Sequence, residues 1–109
     1  MLKGKWIFAA VAAGVLAASV LAADAKGDPA KGKDVFEQCA VCHNVDTPDR
    51  KVGPSLKGLF KHATLHNGKP VTEVNVRAVI NNGGNGMPGY QDMISEQDKD
   101  NVIAYLKTL

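Results

Sequence analysis

Trp6 to Ala23 is an unbroken uncharged run, and beyond it the hydrophobic positions fall into short stripes separated by polar and glycine-rich stretches. Asp28-Pro29 reads as a helix start, an N-cap followed by a first-turn proline, and the segment from Ala30 to about Gln38 then presents Val35 and Phe36 to one side. Thr72 is placed to cap a second helix with Val76, Val79 and Ile80 inward, stopped by Asn82-Gly83. Ser95 with Asp98 reads as the capping pair of a third helix, in which Val102, Tyr105, Leu106 and Leu109 recur at helical spacing. Its early acids and late Lys107 suit the helix dipole. Ahead of Thr72, "HNGKPV" predicts a tight turn on Asn67-Gly68. No alternating stretch of useful length occurs, so the pattern predicts an all-α fold of about three to four short helices.

The uncharged run changes the domain count. It follows Lys3 and Lys5, eight of its 18 residues are alanine, and "ADA" at Ala23 to Ala25 offers the small residues that a signal peptidase reads. Residues 1–25 are therefore expected to be a signal peptide for the general secretory route, cleaved after Ala22, Ala23 or Ala25, with 26–109 as one domain. An uncleaved anchor is the alternative, because an 18-residue run lies at the lower limit for spanning a bilayer. With 22% charged and 45% hydrophobic residues the 109-residue chain has globular composition, but the 84 residues left after cleavage make a marginal core that needs a staple or a bound group. The net charge of +2 says little about partners and gives no basis for nucleic-acid binding.

Both cysteines and one of three histidines stand within five positions, in "EQCAVCHNVD". A Cys39–Cys42 disulfide is the plain reading for an exported chain, yet so small a loop adds little stability. A thioredoxin-type pair needs a strand and helix context, and "GKDVFEQCAVCH" begins as a helix. Zinc would join the cysteines to His62 and His66, but the interval from Cys42 to His62 exceeds the dozen or so residues of a compact finger. It would also leave His43 and "GMPGY" without a role. C-x-x-C-H uses all three clustered residues: it is the attachment motif of c-type haem, each thiol adding across one vinyl group and His43 lying under the iron.

The sixth iron position has several candidates: Met87, Met93, His62, His66, or none. In "NNGGNGMPGY" four glycines surround a Met-Pro pair, giving a loop whose backbone can approach a flat ligand and a methionine stiffened by Pro88. Met93, beside Ile94 and just before a helix, is expected to be a core residue. His62 and His66 are expected to be solvated or to face the haem propionates.

Several separate motifs resemble those of the small bacterial class I cytochromes c, across nearly all of residues 28 to 109. "GKDVFEQCAVCH" is similar to the family's amino-terminal helix and haem site, "VGPSLKGLF" to its proximal loop, "GMPGY" to its methionine loop and "DKDNVIAYLKTL" to its carboxy-terminal helix. The resemblance implies a cytochrome c fold wrapped around one covalent haem c. It makes Cys39 and Cys42 the thioether attachments, His43 and Met87 the axial ligands, and the Pro54 carbonyl the acceptor for the other ring nitrogen of His43. It also implies a close crossing of the terminal helices, with Gly32 and Phe36 meeting Val102 and Tyr105. A His/Met pair leaves no place for oxygen or substrate. The expectation is therefore a soluble, monomeric, periplasmic one-electron carrier, not an enzyme, that docks transiently with redox proteins such as a reductase and an oxidase. The alternative is a haem sensor, or a small haem subunit of a larger redox enzyme, with a labile sixth ligand. Two features depart from the family. Trp6 is in the leader, so Arg50, Lys51, His62, His66 and Arg77 are the candidates to neutralise the propionates, and Tyr90 replaces the usual phenylalanine after Met-Pro.

Overall fold

The computed structural model describes residues 26–109; the expected signal peptide lies outside the described residues. Three α-helices, α1 (Pro29–Phe36), α2 (Glu73–Asn82) and α3 (Glu96–Leu106), and a single 3-10 turn (Leu59–Lys61) form an all-α architecture with no strand among the described residues. The start of each α-helix follows from its cap: Asp28 Oδ1 accepts from Ala30 N–H at 2.9 Å, Thr72 Oγ1 from Asn75 at 3.1 Å, and Ser95 Oγ from Asp98 at 3.1 Å. The first helix ends earlier than Gln38, because tighter turns take over at Glu37.

Helices α1 and α3 cross in contact. A Cβ on Gly32 would lie 1.9 Å from the Asn101 carbonyl oxygen and 2.8 Å from Tyr105 Cβ, so only glycine admits this approach. The expected crossing is present: Gly32 meets Tyr105, with Asn101 as a further contact, and Phe36 packs with Val102, Val76, Ile103 and Leu106 in the core. Asn101 is buried and its Oδ1 accepts from the Asp28 backbone N–H at 2.9 Å and from Gln97 at 3.1 Å, tying the start of α1 to α3. The Phe36 and Tyr105 rings meet at 5.4 Å, tilted by 52°. Lys107, just past α3, bonds Glu73 in the first turn of α2, so each charge sits at the helix end that favours it. The Asn67-Gly68 turn is present, with Gly68 at φ 87° and Leu65 N–H donating to Lys69 O at 2.8 Å.

Candidate functional site

The chain leaves α1 through two tight turns that hold the cysteine motif. Cys39 and Ala40 N–H groups both donate to the Phe36 carbonyl, and those of Cys42 and His43 to the Cys39 carbonyl, at 2.7 to 3.0 Å. The thiols are not joined as a disulfide. Burial pushes the Cys39 thiol up, and the neighbouring Cys42 adds to the shift, which is the reverse of what a reactive redox thiolate requires.

A second loop fixes the imidazole. Gly53 N–H donates to the Cys42 carbonyl and Leu56 N–H to the Asn44 carbonyl, both at 2.8 Å, and between them the Pro54 carbonyl lies 2.7 Å from His43 Nδ1. A carbonyl can only accept, so Nδ1 carries the proton and Nε2 keeps its lone pair. Gly53 packs closely against the ring: a Cβ there would stand 2.6 Å from His43 Cε1.

The methionine loop is a turn closed on itself. Gly84 N–H donates to Met87 O at 2.9 Å, Met87 N–H returns to Gly84 O at 3.0 Å, and Gly84, Asn85 and Gly86 all have positive φ. Gly83 and Gly89 make room for the protein's own backbone, since a Cβ would fall 2.2 Å from Met87 O and 2.6 Å from Asn81 O. Two further bonds, Tyr90 N–H to Ile80 O at 2.8 Å and Gln91 N–H to Asn81 O at 3.2 Å, bind the loop's exit to the end of α2.

These segments converge on one cleft, lined by Cys39, His43, Met87 and Tyr90 among the apolar side chains of Phe36, Leu56, Ile80, Ile94, Val102 and Leu106. Cys42 belongs to the same turn and is half-buried, but is not part of the lining. The donor set suits a haem: an imidazole with a free Nε2 lone pair, a thioether, a thiol at the wall, and otherwise hydrocarbon. His62 and His66 are exposed and do not line the cleft, and His62 Nε2 is 3.3 Å from the Lys57 carbonyl. The zinc alternative fails on geometry, because among the described residues no three His, Cys, Asp or Glu side chains gather as a metal site. Met93 is corrected: it is 72% exposed, and its neighbour Ile94 fills the core position. Of the candidate propionate partners, Arg77 pairs with Glu96 and Asp100, and Lys51 Nζ donates to the Ala40 carbonyl at 2.9 Å.

Sequence reasoning missed Gly53 as the residue packed against His43, and Lys99. Among the described residues Lys99 is the most buried polar one, and its ammonium donates to the Gln91 carbonyl at 2.9 Å and to Glu96 Oε2 at 2.8 Å. Gly53 has no left-handed φ to advertise it, and a lysine among helix acids looks solvated.

Comparison with known proteins gives a consistent set of matches. The family described as "Cytochrome C oxidase, cbb3-type, subunit III" matches residues 27–106. Cytochrome c2 of Rhodospirillum rubrum is 32% identical over 91% of this chain and 96% of its own length. Cytochrome c2 of Blastochloris viridis is 37% identical over 85% of this chain and 86% of its own. Cytochrome c6 of Synechocystis is 40% identical over 72% of this chain and 63% of its own.

Proposed function

The chain belongs to the cytochrome c family, and we propose from that premise that Cys39 and Cys42 attach its haem while His43 and Met87 ligate the iron. The covalent c-type haem supplies reversible one-electron exchange at iron, which makes the protein an electron carrier and not an enzyme. One observation carries the ligand set: His43 and Met87, from loops far apart in the chain, line a single apolar cleft together with Cys39.

Each residue has a physical task in this reading. The Pro54 carbonyl accepts the Nδ1 proton of His43, which orients the ring, leaves Nε2 to the metal and raises its basicity. The soft sulfur of Met87 favours the reduced iron and raises the potential. With His43 and Met87 both holding the iron, oxygen and substrates would find no site. The hydrocarbon walls from Phe36, Leu56, Ile80 and Val102 exclude water, so little has to rearrange when charge arrives.

Partners are redox proteins that dock transiently, and the surface suited to them surrounds the attachment turn, where Val41 and Val52 are 68% and 71% exposed beside Lys51. The carrier works as a monomer in the periplasm, delivered by a leader removed after Ala22, Ala23 or Ala25. Among the described residues no helix is long and apolar enough to cross a membrane. A second reading, a haem subunit of a larger redox enzyme, draws on the oxidase subunit named in the family description.

Carbon monoxide tests the closed site. Reduced protein, matured with its haem attached, is expected to keep its absorption spectrum unchanged under the gas. Rapid formation of a carbonyl spectrum would favour a labile sixth position, and with it the sensor or subunit reading.

A further inference from the structure

The loop that carries Met87 is held at its exit by the peptide of Gln91, whose two polar groups go to two different helices. Its N–H donates to the Asn81 carbonyl at the end of α2, and its carbonyl accepts from Lys99 of α3 at 2.9 Å. A wholly buried ammonium is an expensive way to bond one carbonyl, since burial strips it of water, and it persists only where partners replace that water. Glu96 is the second partner at 2.8 Å, and its carboxylate is shared with Arg77 of α2 at 3.0 Å. Arg77 in turn pairs with Asp100. A chain of charges thus joins α2, α3 and the methionine loop, with Lys99 as its only fully buried member among the described residues.

We propose that Lys99 is a positioning residue for Met87: by gripping the Gln91 carbonyl against α3 it keeps the loop closed, and so keeps the thioether on the iron. The inference rests on the reading of Met87 as axial ligand. The upstream half of the loop, with its positive-φ glycines and self-closed Gly84–Met87 turn, is tied to α2 by Gly83 N–H donating to the Val79 carbonyl at 2.7 Å, whereas the tie to α3 is made downstream, at Gln91. The downstream half is therefore where the loop can part from α3. Tyr90 and Ile94, on either side of Gln91 in the chain, line the same cleft as Met87, so a released Gln91 segment would loosen the wall beside Met87 as well. Removing a charged hydrogen bond to this part-buried carbonyl shifts a local opening equilibrium by about tenfold.

Capture of added imidazole by the oxidised holoprotein reads this opening, because imidazole binds iron only after the thioether leaves. Lys99→Met, which keeps the side chain's bulk without its charge, is expected to raise the capture rate about tenfold and to weaken the far-red sulfur-to-iron absorption. Ala104→Gly serves as the control, weakening α3 without touching the loop, and should leave both signals near those of the parent. If Lys99→Met captures imidazole no faster than Ala104→Gly, the proposal is overturned. Should Lys99→Met yield no holoprotein, Glu96→Gln decides: it removes the ammonium's exposed ionic partner and is expected to speed capture about threefold, and an unchanged rate counts against the proposal. A parent protein that lacks the far-red absorption overturns the Met87 assignment itself, and this inference with it.

Discussion

His43 can offer a metal only one of its nitrogens, because the other is committed to the Pro54 carbonyl at 2.7 Å. That commitment depends on a residue with no side chain. A methyl group on Gly53 would stand 2.6 Å from Cε1 and 3.0 Å from Nδ1 of the ring, so Gly53→Ala must push the imidazole away or lift the Pro54 loop. We expect it to destabilise the holoprotein by about 1–3 kcal/mol, the usual range for overpacking a filled site, as measured by denaturant unfolding. Unchanged stability would mean that the loop gives way without cost. What could be read at this scale was adjacency: Cys39, Cys42 and His43 declare themselves within five positions. Gly53 could not be read, because its constraint is steric and comes from a ring ten residues earlier in the chain. Met93 misled for the opposite reason, since a hydrophobic type before a helix implies burial only on average, and here Ile94 takes the buried place.

The helices declared themselves through their ends. Asp28, Thr72 and Ser95 each make the side-chain cap that their type and position suggest, because a cap is a local bond between residues two or three apart. Contacts between elements were less legible. Asn101 and Lys99 look like surface residues of a polar helix, yet both are buried, with partners on segments the periodicity cannot relate. The Glu73–Lys107 link between α2 and α3 gives this scale its own prediction. The hydrogen bond from Lys107 holds the Glu73 carboxyl below the usual carboxylate range, outweighing the opposite effect of burial. Its folded value thus lies below its unfolded one. The stability it adds is present above the unfolded value and is lost as the pH falls through the lowered folded value. With the two side chains 42% and 47% exposed, solvent limits the effect to less than about 1 kcal/mol. Lys107→Ala should remove that part of the acid dependence, as followed by unfolding at a series of acidic pH values. An identical slope in both proteins would show that the link has no effect in solution.

At the scale of the molecule, a domain of this size has few fully buried apolar side chains: Phe36, Val76, Ile94, Val102, Ile103 and Leu106 among the described residues. Several of these, with half-buried Leu56, Ile80 and Tyr90, line the cleft as well as packing on one another, so the core is completed by the haem that the family carries. The same wall that stabilises the domain would insulate the iron, and the proposed His43 and Met87 ligation would leave it no position for chemistry. Everything in that account turns on Met87. The most direct test is the far-red absorption of the oxidised holoprotein, which arises from sulfur bound to iron. The parent should show it and Met87→Ala should lose it, with a lowered reduction potential, while Met93→Leu keeps both. A band that survives Met87→Ala would contradict the account.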